Sequence, residues 1–291
     1  MNESNKDNYD AMLIWHITNR CNFSCPQCLA RAEKAQGYLW NKKINLKKIR
    51  PFFAGTPLKL LIHMTGGEPF LVKNFIEVMQ VVSERHYLYV ISNLVSPKVA
   101  EFAEKIDPER VTAILASAHI MELEKSGQLN IFINNCLLLK AKGFPVFIKE
   151  VAYPFRLNSI NKYRNLFNES GLNLEFELFR GTWKEKVYPD AYTTEDLKLI
   201  NPDKNVPSNM SCFDRKGMPC NAGFNIAVAN SDGEITPCYQ VRQSLGHIYK
   251  RLELKNQLMI CPFESCGCPF PIIFPSIYER ALTRISHKIL E

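Results

Sequence analysis

Short apolar runs alternate with longer amphipathic stretches between about residue 12 and residue 180. The apolar runs have the length of strands, and the stretches between them repeat apolar residues every three or four positions, as helices do. The predicted strands are Met12–Thr18, Lys59–Met64, Tyr87–Ser92, Val111–Ser117, Val146–Val151 and Leu174–Phe179. The predicted helices include Phe75–Glu84, Pro97–Lys105, Leu129–Lys142 and Ile160–Glu169.

Six strand-helix units predict an α/β fold with a parallel sheet and helices outside it. Parallel strands need crossover connections, and helices usually supply them. Gly143 and Gly171 each end a predicted helix just before the next strand, as glycines at helix C-termini often do. The periodicity is compatible both with an open sheet and with a partial barrel.

This rhythm breaks after Arg180, and the following stretch to Met218 is rich in Pro, Asn, Asp and Ser. Such a composition is typical of a linker between domains. We therefore expect a first domain over residues 1–185, a linker over 186–210 and a second domain over 211–291.

The second predicted domain is small and begins with a β-hairpin. Two apolar runs, Phe224–Ala229 and Glu234–Tyr239, are joined by the turn-forming residues Asn230–Gly233. A final amphipathic stretch, Ser276–Leu290, predicts a closing helix. Cysteines lie on both sides of the hairpin, so we expect this domain to bind a metal cluster.

Composition and charge narrow the class of protein. The chain is 46% hydrophobic and 22% charged, as expected for a globular protein. The N-terminal MNESNKDNYD lacks the apolar stretch of a signal peptide, and no run has the roughly 18 apolar residues of a membrane helix, which predicts a cytoplasmic protein without a membrane partner. The net charge of +7 is spread in short groups, so a nucleic-acid partner is not expected.

Ten cysteines in a chain without an export signal indicate metal binding or catalysis, because the cytosol keeps thiols reduced. Their distribution defines two regions. Cys21, Cys25 and Cys28 lie within eight residues, and six further cysteines lie between residues 212 and 268. Cys136 stands alone in a helical pattern, where a buried core residue is the expected role.

The first cysteine region directly follows the first predicted strand. Spacings of three and then two residues let three thiolates converge on one side of a loop. Three ligands suit a cubane 4Fe-4S cluster with one open iron, whereas structural zinc usually takes four protein ligands. The open iron of such a cluster can bind an external chelating ligand.

The loop Cys21–Cys28, CNFSCPQC, resembles the Cys-x3-Cys-x2-Cys signature of the radical S-adenosylmethionine (radical SAM) superfamily, and Thr18–Asn22 is similar to its usual lead-in. The resemblance implies a partial (β/α)6 TIM-type barrel with a small C-terminal cluster-binding domain. It implies S-adenosylmethionine bound to the open iron and cleaved reductively to a 5'-deoxyadenosyl radical that abstracts a hydrogen atom from the substrate. It also implies an electron donor such as flavodoxin or ferredoxin.

A second motif supports the same resemblance. Gly66-Gly67-Glu68-Pro69 follows the second predicted strand and resembles the GGEP motif of the superfamily. Two glycines let the backbone approach a ligand closely, and carbonyl oxygens at the strand end can accept hydrogen bonds from the methionine ammonium group. These four residues are therefore predicted to bind the cofactor.

Three further cofactor contacts are predicted. Asn93 and Ser117 end the third and fourth predicted strands, and barrel active sites form at the C-terminal ends of strands. Gln27 occupies the position before the third cysteine, where the superfamily commonly has an aromatic residue near the adenine. Its amide can form hydrogen bonds and pack beside a purine.

The second cysteine region resembles an auxiliary-cluster domain. Cys220 and Cys238 are separated by 17 residues with Gly233 between them. This spacing resembles the opening Cys-x(9–15)-Gly-x4-Cys element of SPASM domains and of their shortened form, called twitch. The hairpin turn brings both cysteines to the same end of a two-stranded unit.

The remaining cysteines indicate the shortened form with one auxiliary 4Fe-4S cluster. Cys261, Cys266 and Cys268 form a shorter series than a full SPASM domain has. We expect Cys220, Cys238 and two of these three to bind the cluster, although Cys212 is an alternative for one of them. A four-thiolate zinc site is the other interpretation of this region.

The resemblance to twitch-type relatives implies that the auxiliary cluster accepts an electron from the substrate radical, which gives net two-electron oxidation of an alcohol, or that it assists the formation of a bond. Oxidation also needs a proton acceptor or an orienting cation inside the barrel. The candidates at or near the ends of late strands are His119, Glu150, Glu177 and Arg180.

The substrate is predicted from what precedes the barrel. Peptide-modifying relatives often carry a leader-recognition domain there, whereas the first predicted strand of this chain begins near residue 12. This favours a small metabolite, such as a sugar or aminocyclitol intermediate. Peptide or tRNA modification is the alternative within the family. A non-catalytic iron-sulfur carrier or assembly protein is the alternative from another class, and it would explain the cysteines but not Gly66–Pro69.

Overall fold

The structure is a computed structural model that describes residues 9–26, 28, 43–202 and 216–264. The predicted closing helix over 276–290 lies outside the described residues, as do four predicted site or ligand residues. These are Gln27, Cys212, Cys266 and Cys268.

Six parallel strands in chain order form the centre of the fold. They are β1 (Ala11–Thr18), β2 (Leu60–Gly66), β3 (Tyr87–Ser92), β4 (Val111–Ser117), β5 (Val146–Ala152) and β6 (Leu174–Leu178). Each pairs in parallel with the next. The mixed α/β architecture with a large parallel sheet is therefore as predicted, and each predicted strand agrees with an observed one to within two residues at either end.

Seven helices are described, and most of them connect consecutive strands. They are α1 (Leu46–Gly55), α2 (Phe75–Ser83), α3 (Lys98–Lys105), α4 (Ile120–Lys125), α5 (Leu129–Ala141), α6 (Ile160–Glu169) and α7 (Thr194–Ile200). Short 3-10 turns cover Pro69–Leu71, Pro108–Arg110 and Leu157–Ser159. The last helix, α7, lies inside the range predicted as a linker and begins with a capping box formed by Thr193 and Asp196.

Seven short strands complete the described structure. They are β7 (Gly181–Trp183), β8 (Lys186–Tyr188), β9 (Pro219–Cys220), β10 (Ile226–Ala229), β11 (Glu234–Thr236), β12 (Gly246–His247) and β13 (Met259–Ile260). The predicted hairpin is present, since β10 and β11 pair in antiparallel fashion and the Asn230 amide donates to the Glu234 carbonyl across the turn at 2.9 Å. Separate pairs are formed by β7 with β8 and by β9 with β13.

The hairpin belongs to the same sheet as the parallel strands. β10 pairs in parallel with β1, from Met12 opposite Ile226 to Trp15 opposite Ala229. The strand order is β12-β11-β10-β1-β2-β3-β4-β5-β6, so the described strands form an open sheet that ends at β6. The predicted second domain thus shares a sheet with the first, and the predicted domain boundaries stay a prediction.

The two faces of this sheet are buried in different ways. Alternate residues of a strand face opposite sides, so Leu13 and Trp15 join the large core beneath the helices, whereas Met12 and Ile14 face the other side. We call that other side the inner face. A smaller cluster covers it, made of Met12, Ile14, Leu61, Tyr87, Ile226 and Val228. None of the helices in the described part of the chain has the length and apolar composition needed to cross a membrane.

A buried histidine, His86, joins α1 to the start of β2. The Leu60 amide donates to Nδ1 of His86 at 3.1 Å, so Nε2 carries the proton and donates to the Phe53 carbonyl at 2.9 Å. Burial is the main reason that the pKa of His86 lies below its usual value of 6.5. The neutral imidazole therefore satisfies two backbone groups in the core.

Replacing this residue, as His86→Phe, should lower the free energy of unfolding by about 1–3 kcal/mol for each backbone group left without a partner. The folded protein binds fewer protons at His86 than the unfolded chain does, so this contribution is present above about pH 6.5 and is lost as the pH falls below it. Thermal melts followed by circular dichroism across that range should show less acid destabilisation in the variant. Equal acid sensitivity in both proteins would contradict this account.

Candidate cofactor-binding site

The candidate site lies where β1 and β2 end side by side. His16 pairs with Thr65, but Thr18 pairs with Gly66, so β1 has one extra residue here. Bulges of this kind are common next to active sites. Beyond the strands the pairing continues, because the Gly67 amide donates to the Thr18 carbonyl at 2.6 Å and the Glu68 amide donates to the Arg20 carbonyl at 2.7 Å. The GGEP segment is thus joined to the residues that lead into Cys21.

Both glycines are required by this close approach. A Cβ atom on Gly66 would lie 2.2 Å from the Thr18 carbonyl oxygen, and one on Gly67 would lie 2.1 Å from the Arg20 carbonyl oxygen. Gly66 also has a φ of +133°, which other residues rarely adopt. The obstacle in each case is backbone, so a larger residue could be accommodated only by moving the start of the cysteine loop.

Glu68 connects the end of β2 to the end of β3. Its buried carboxylate accepts hydrogen bonds from the Phe70 amide at 3.1 Å, the Ser92 hydroxyl at 2.8 Å and the Asn93 amide at 2.8 Å. Burial raises the pKa of Glu68 to about 7, although these three hydrogen bonds act in the opposite direction. With its oxygens occupied in this way, Glu68 fixes the shape of the motif.

The cysteine loop is held by contacts to two elements. The Asn93 side-chain amide, just after β3, donates to Oδ1 of Asn22 at 2.9 Å. The Ser24 amide donates to Oε2 of Glu122, on α4, at 2.9 Å. Phe23 is buried between these two contacts. The loop is therefore fixed against both β3 and the helix that follows β4.

The three cysteines lie close enough together to influence one another. Cys25 is buried, and Cys21 and Cys28 are half-buried. Burial, and after it the neighbouring charges of Cys21 and Cys28, raise the pKa of Cys25 to about 12. A bound metal would reverse this, because a cation favours thiolates. The loop thus presents three soft donors, and one of them, Cys25, needs a nearby positive charge to ionise.

Three thiolates of this kind fit an iron-sulfur cluster better than a single ion. Among the described residues, no group of three or more His, Cys, Asp or Glu side chains is placed to hold one metal ion. In a cubane cluster each thiolate binds a different iron, so the ligands are spaced more widely than those of one ion. The donor set of Cys21, Cys25 and Cys28 therefore fits the group that the sequence predicts.

The predicted proton-transfer residues lie in two places. Glu150 is buried and accepts a hydrogen bond from the Ile120 amide at the start of α4, at 2.8 Å, and burial raises its pKa to about 7. His119 precedes that helix with a φ of +38°, packs edge-on against Phe23, and has its pKa lowered to about 4 by burial. Both residues support the helix that contacts the cysteine loop, which favours a positioning role for Glu150.

The other predicted residues are more exposed. Glu177 is paired with Lys149 at 2.7 Å. Arg180 is exposed, two residues beyond the end of β6. Ser117 is half-buried at the end of β4. Of the predicted residues, Gly66, Gly67, Glu68, Asn93 and His119 are thus the ones brought to the cysteine loop or its lead-in. The catalytic assignments stay predictions.

Sequence reasoning missed Glu122, although its carboxylate anchors the loop. It lies on α4, a six-residue helix whose pattern is too short to predict from periodicity. Glu122 and Ser24 are 98 residues apart in the chain. No local signal marks this contact, which arises only when β1 and β4 are placed in one sheet.

One cysteine of the second region, Cys220, lies on β9, and another, Cys261, directly follows the partner strand β13. Cys220 on β9 is opposite Met259 on β13. Cys261, two residues after Met259, is hydrogen-bonded to the segment before β9. Its amide donates to the Met218 carbonyl at 2.9 Å, and its carbonyl accepts from the Gly217 amide at 2.9 Å. Cys238 follows the hairpin, and its sulfur accepts from the Val241 amide at 3.4 Å. This arrangement is compatible with a shared site for Cys220 and Cys261.

Sequence comparisons give little information on function. No protein-family profile matches the chain. An uncharacterized protein of Methanocaldococcus jannaschii is 24% identical in an alignment of 278 residues that covers 88% of this chain and 93% of that protein.

Solved structures identify the fold. Streptococcus suis SuiB has a TM-score of 0.52 and 16% identity over 84% of this chain, which spans 64% of the SuiB chain. The enzyme anSMEcpe with bound S-adenosylmethionine has a TM-score of 0.56 and 15% identity, covering 82% of this chain and 74% of its own. This chain shares the fold of both proteins.

The contact between the double glycine and the cysteine loop can be tested with a pair of alanine variants. Gly67→Ala should displace the loop, at a cost of about 1–3 kcal/mol for the steric overlap, and should remove most of the iron bound by the first cysteines. Gly55→Ala is the matched control, because nothing lies within 4 Å of a Cβ atom at that position. Iron and sulfide would be measured after anaerobic reconstitution. Wild-type iron content in Gly67→Ala would contradict the proposed constraint.

Proposed function

We propose that this chain is a radical SAM enzyme that binds a 4Fe-4S cluster through Cys21, Cys25 and Cys28 and S-adenosylmethionine at the open iron. The observation that carries the proposal is the backbone pairing of the GGEP segment with the residues leading into the cysteine loop. A six-stranded parallel sheet in chain order supports a partial (β/α)6 TIM-type barrel, extended by the C-terminal hairpin. The fold shared with radical SAM enzymes supports the same conclusion.

The bound cluster and cofactor would together supply a 5'-deoxyadenosyl radical after one-electron reduction. The protein's own residues define where this happens. Gly66 and Gly67 let the residues leading into the cysteine loop approach the end of β2, and Asn93 lies just after the neighbouring strand β3. Phe23 and the buried Cys25 exclude water from the loop. Glu68 and Glu122 hold the two backbone segments in place.

We assign an auxiliary 4Fe-4S cluster to Cys220, Cys238, Cys261 and one of Cys266 and Cys268. The pairing of β9 with β13 supports Cys220 and Cys261 as ligands, because Cys220 lies opposite Met259 and the Cys261 amide donates to the Met218 carbonyl, two residues before Cys220. Such a cluster would supply an acceptor for the one electron that the substrate radical loses after hydrogen-atom abstraction. Its presence would give the enzyme an oxidoreductase reaction, with electrons supplied to the first cluster by a flavodoxin or a ferredoxin in the cytoplasm.

The proposed substrate is a small metabolite, such as a sugar or an aminocyclitol intermediate, which loses hydrogen. Peptide modification is the second candidate, favoured by the peptides in related structures. SuiB has been solved with its precursor peptide SuiA, and anSMEcpe with the peptide Cp18Cys. In either case Ser117, His119, Glu177 and Arg180 remain the candidates for contacts at the reacting end of the barrel. Glu150, which accepts a hydrogen bond from the start of α4, remains a candidate for positioning them.

The proposed activity predicts cofactor cleavage by the protein alone. Reconstituted enzyme incubated anaerobically with S-adenosylmethionine and a strong reductant should form 5'-deoxyadenosine, measured by liquid chromatography. Cys25→Ala should reduce the yield to background, because a cluster ligand is lost. If the wild-type yield did not exceed that of the variant, a non-catalytic iron-sulfur carrier would be the better description.

The auxiliary cluster predicts a specific iron content. Two 4Fe-4S clusters give about eight irons per chain, and Cys220→Ala should reduce this to about four. Cys136→Ala is the matched control. Cys136 lies on α5 and is fully buried in the hydrophobic core, so its replacement should leave the iron content unchanged. About four irons and one zinc in the wild-type protein would show that the second region binds zinc.

A further inference from the structure

Polar side chains occupy the inner face next to the cysteine loop. Ile14, Leu61 and Tyr87 of the inner-face cluster lie on three neighbouring strands, and each is followed two residues later by a polar residue. These residues are His16 on β1, His63 on β2 and Tyr89 on β3. Because side chains alternate along a strand, all three face the same side as that cluster. They lie nearer the C-terminal ends of the strands, between the apolar cluster and the loop.

These side chains are arranged as two aromatic pairs. Nε2 of His16 and the hydroxyl of Tyr239 are hydrogen-bonded at 2.9 Å, with the rings edge to face. His63 lies directly opposite Tyr89 in the sheet, and their ring centroids are 4.7 Å apart. Tyr239 comes from the segment after β11 and directly follows Cys238. The polar part of the inner face is thus built from both the parallel strands and the C-terminal segment.

An ion pair lies on the same face at the other end of the sheet. Glu150 faces the helices, so Lys149, its neighbour on β5, faces inward and binds Glu177 on β6. Glu177 also contributes to the raised pKa of Tyr89, three strands away, which places its charge within reach of that tyrosine. The polar side chains of β1 to β3 and those of β5 and β6 therefore face a common space.

On the strands that form this space, no positive charge is unbalanced, because Lys149 pairs with Glu177 and lies opposite a second carboxylate, Glu175, in the sheet. Burial lowers the pKa of His16 to about 4 and that of His63 to about 3, and it raises the pKa of Tyr89 to about 12. All three are therefore neutral at pH 7. The charge of Lys149 is balanced by Glu177. The surface offers hydrogen-bond donors and acceptors, whereas an anionic ligand would need an unbalanced cation.

Tyr239 is 46% exposed and His16 is half-buried, so the polar space opens to the outside. Burying imidazole and phenol groups costs free energy that an apolar side chain at the same position would not. Because His16, His63 and Tyr89 carry this cost beside an apolar cluster, we take them to be present for binding a ligand. Neutral donor-acceptor groups of this kind match hydroxyl groups.

We infer that His16, His63, Tyr89 and Tyr239 bind the substrate, and that the substrate is a hydroxyl-bearing small molecule without an anionic group. This inference rests on the proposed function, which places the reacting end of the cofactor above the same space. Phosphorylated metabolites and tRNA carry anionic groups, so the inference excludes them as ligands of this site. It also makes Tyr89 and His63 determinants of specificity.

The charge class of the substrate can be tested with cell extract. Small molecules from cells lacking the gene would be passed through an ultrafilter and then an anion-exchange resin. Each fraction would be incubated with the reconstituted holoenzyme, S-adenosylmethionine and reductant. The unretained fraction should raise 5'-deoxyadenosine formation severalfold and should contain the metabolite that is consumed. Activity with the resin-bound fraction only, with the ultrafilter retentate only, or with no fraction would overturn the inference. A lack of 5'-deoxyadenosine even without added extract would instead contradict the proposed function.

The binding role of the inner face can be tested with two matched variants. Tyr89→Phe removes one inner-face hydroxyl, and Tyr163→Phe removes a hydroxyl on the helical side, where Tyr163 bonds Glu124. With the active fraction, Tyr89→Phe should raise KM about tenfold and lower the ratio of product to 5'-deoxyadenosine, as loss of one substrate hydrogen bond requires. Tyr163→Phe should keep the wild-type KM. Equal KM values in both variants, with both proteins folded by circular dichroism, would overturn the assignment.

Discussion

The backbone contact between the double glycine and the start of the cysteine loop is the constraint on which the rest of the site depends. Two short hydrogen bonds, from Gly67 to Thr18 and from Glu68 to Arg20, continue the pairing of β1 and β2 beyond the sheet. The extra residue of β1 before Thr18 turns the chain at this point. As a result, the loop that carries the cysteines and the strand end predicted to bind the cofactor form one rigid unit.

Electrostatics complement this geometry. The loop buries a thiol among other thiols and close to the carboxylates of Glu122 and Glu150, and each of these neighbours disfavours a further negative charge on Cys25. In the absence of metal, the arrangement holds the Cys25 thiol protonated. A cluster supplies the missing positive charge, so binding it and releasing the thiol protons are coupled. The same carboxylates fix the loop and the helix α4 through backbone amides, which is a structural reason for keeping negative charge so near the cysteines.

The sequence was informative where structure depends on local pattern. The apolar runs predicted all six parallel strands, and Asn230–Gly233 predicted the hairpin. α1 was missed because Pro51 interrupts its pattern, although Asn45 accepts a hydrogen bond from the Lys48 amide as an N-cap residue. α7 was missed because its surroundings are rich in turn-forming residues, even though Thr193 and Asp196 have the spacing of a capping box.

The parts that could not be predicted depend on contacts between distant residues. The pairing of β10 with β1 joins segments more than 200 residues apart, and it decides that the hairpin extends the main sheet. The contact of Glu122 with Ser24 in the cysteine loop and that of Tyr239 with His16 also join residues that are distant in the chain. In the candidate site, sequence spacing identified Gly66, Gly67 and Glu68, but their effect on the loop follows from carbonyl groups at Thr18 and Arg20 that no side-chain pattern reveals.

The central claim is that the cysteine loop and the GGEP segment together present an open iron to S-adenosylmethionine. Electron paramagnetic resonance of the reduced protein, recorded with and without saturating S-adenosylmethionine, tests this most directly. The account predicts that the signal of the first cluster changes when the cofactor is added, because an iron gains new ligands. An unchanged cluster signal at saturating cofactor, in protein with a full complement of iron, would contradict it.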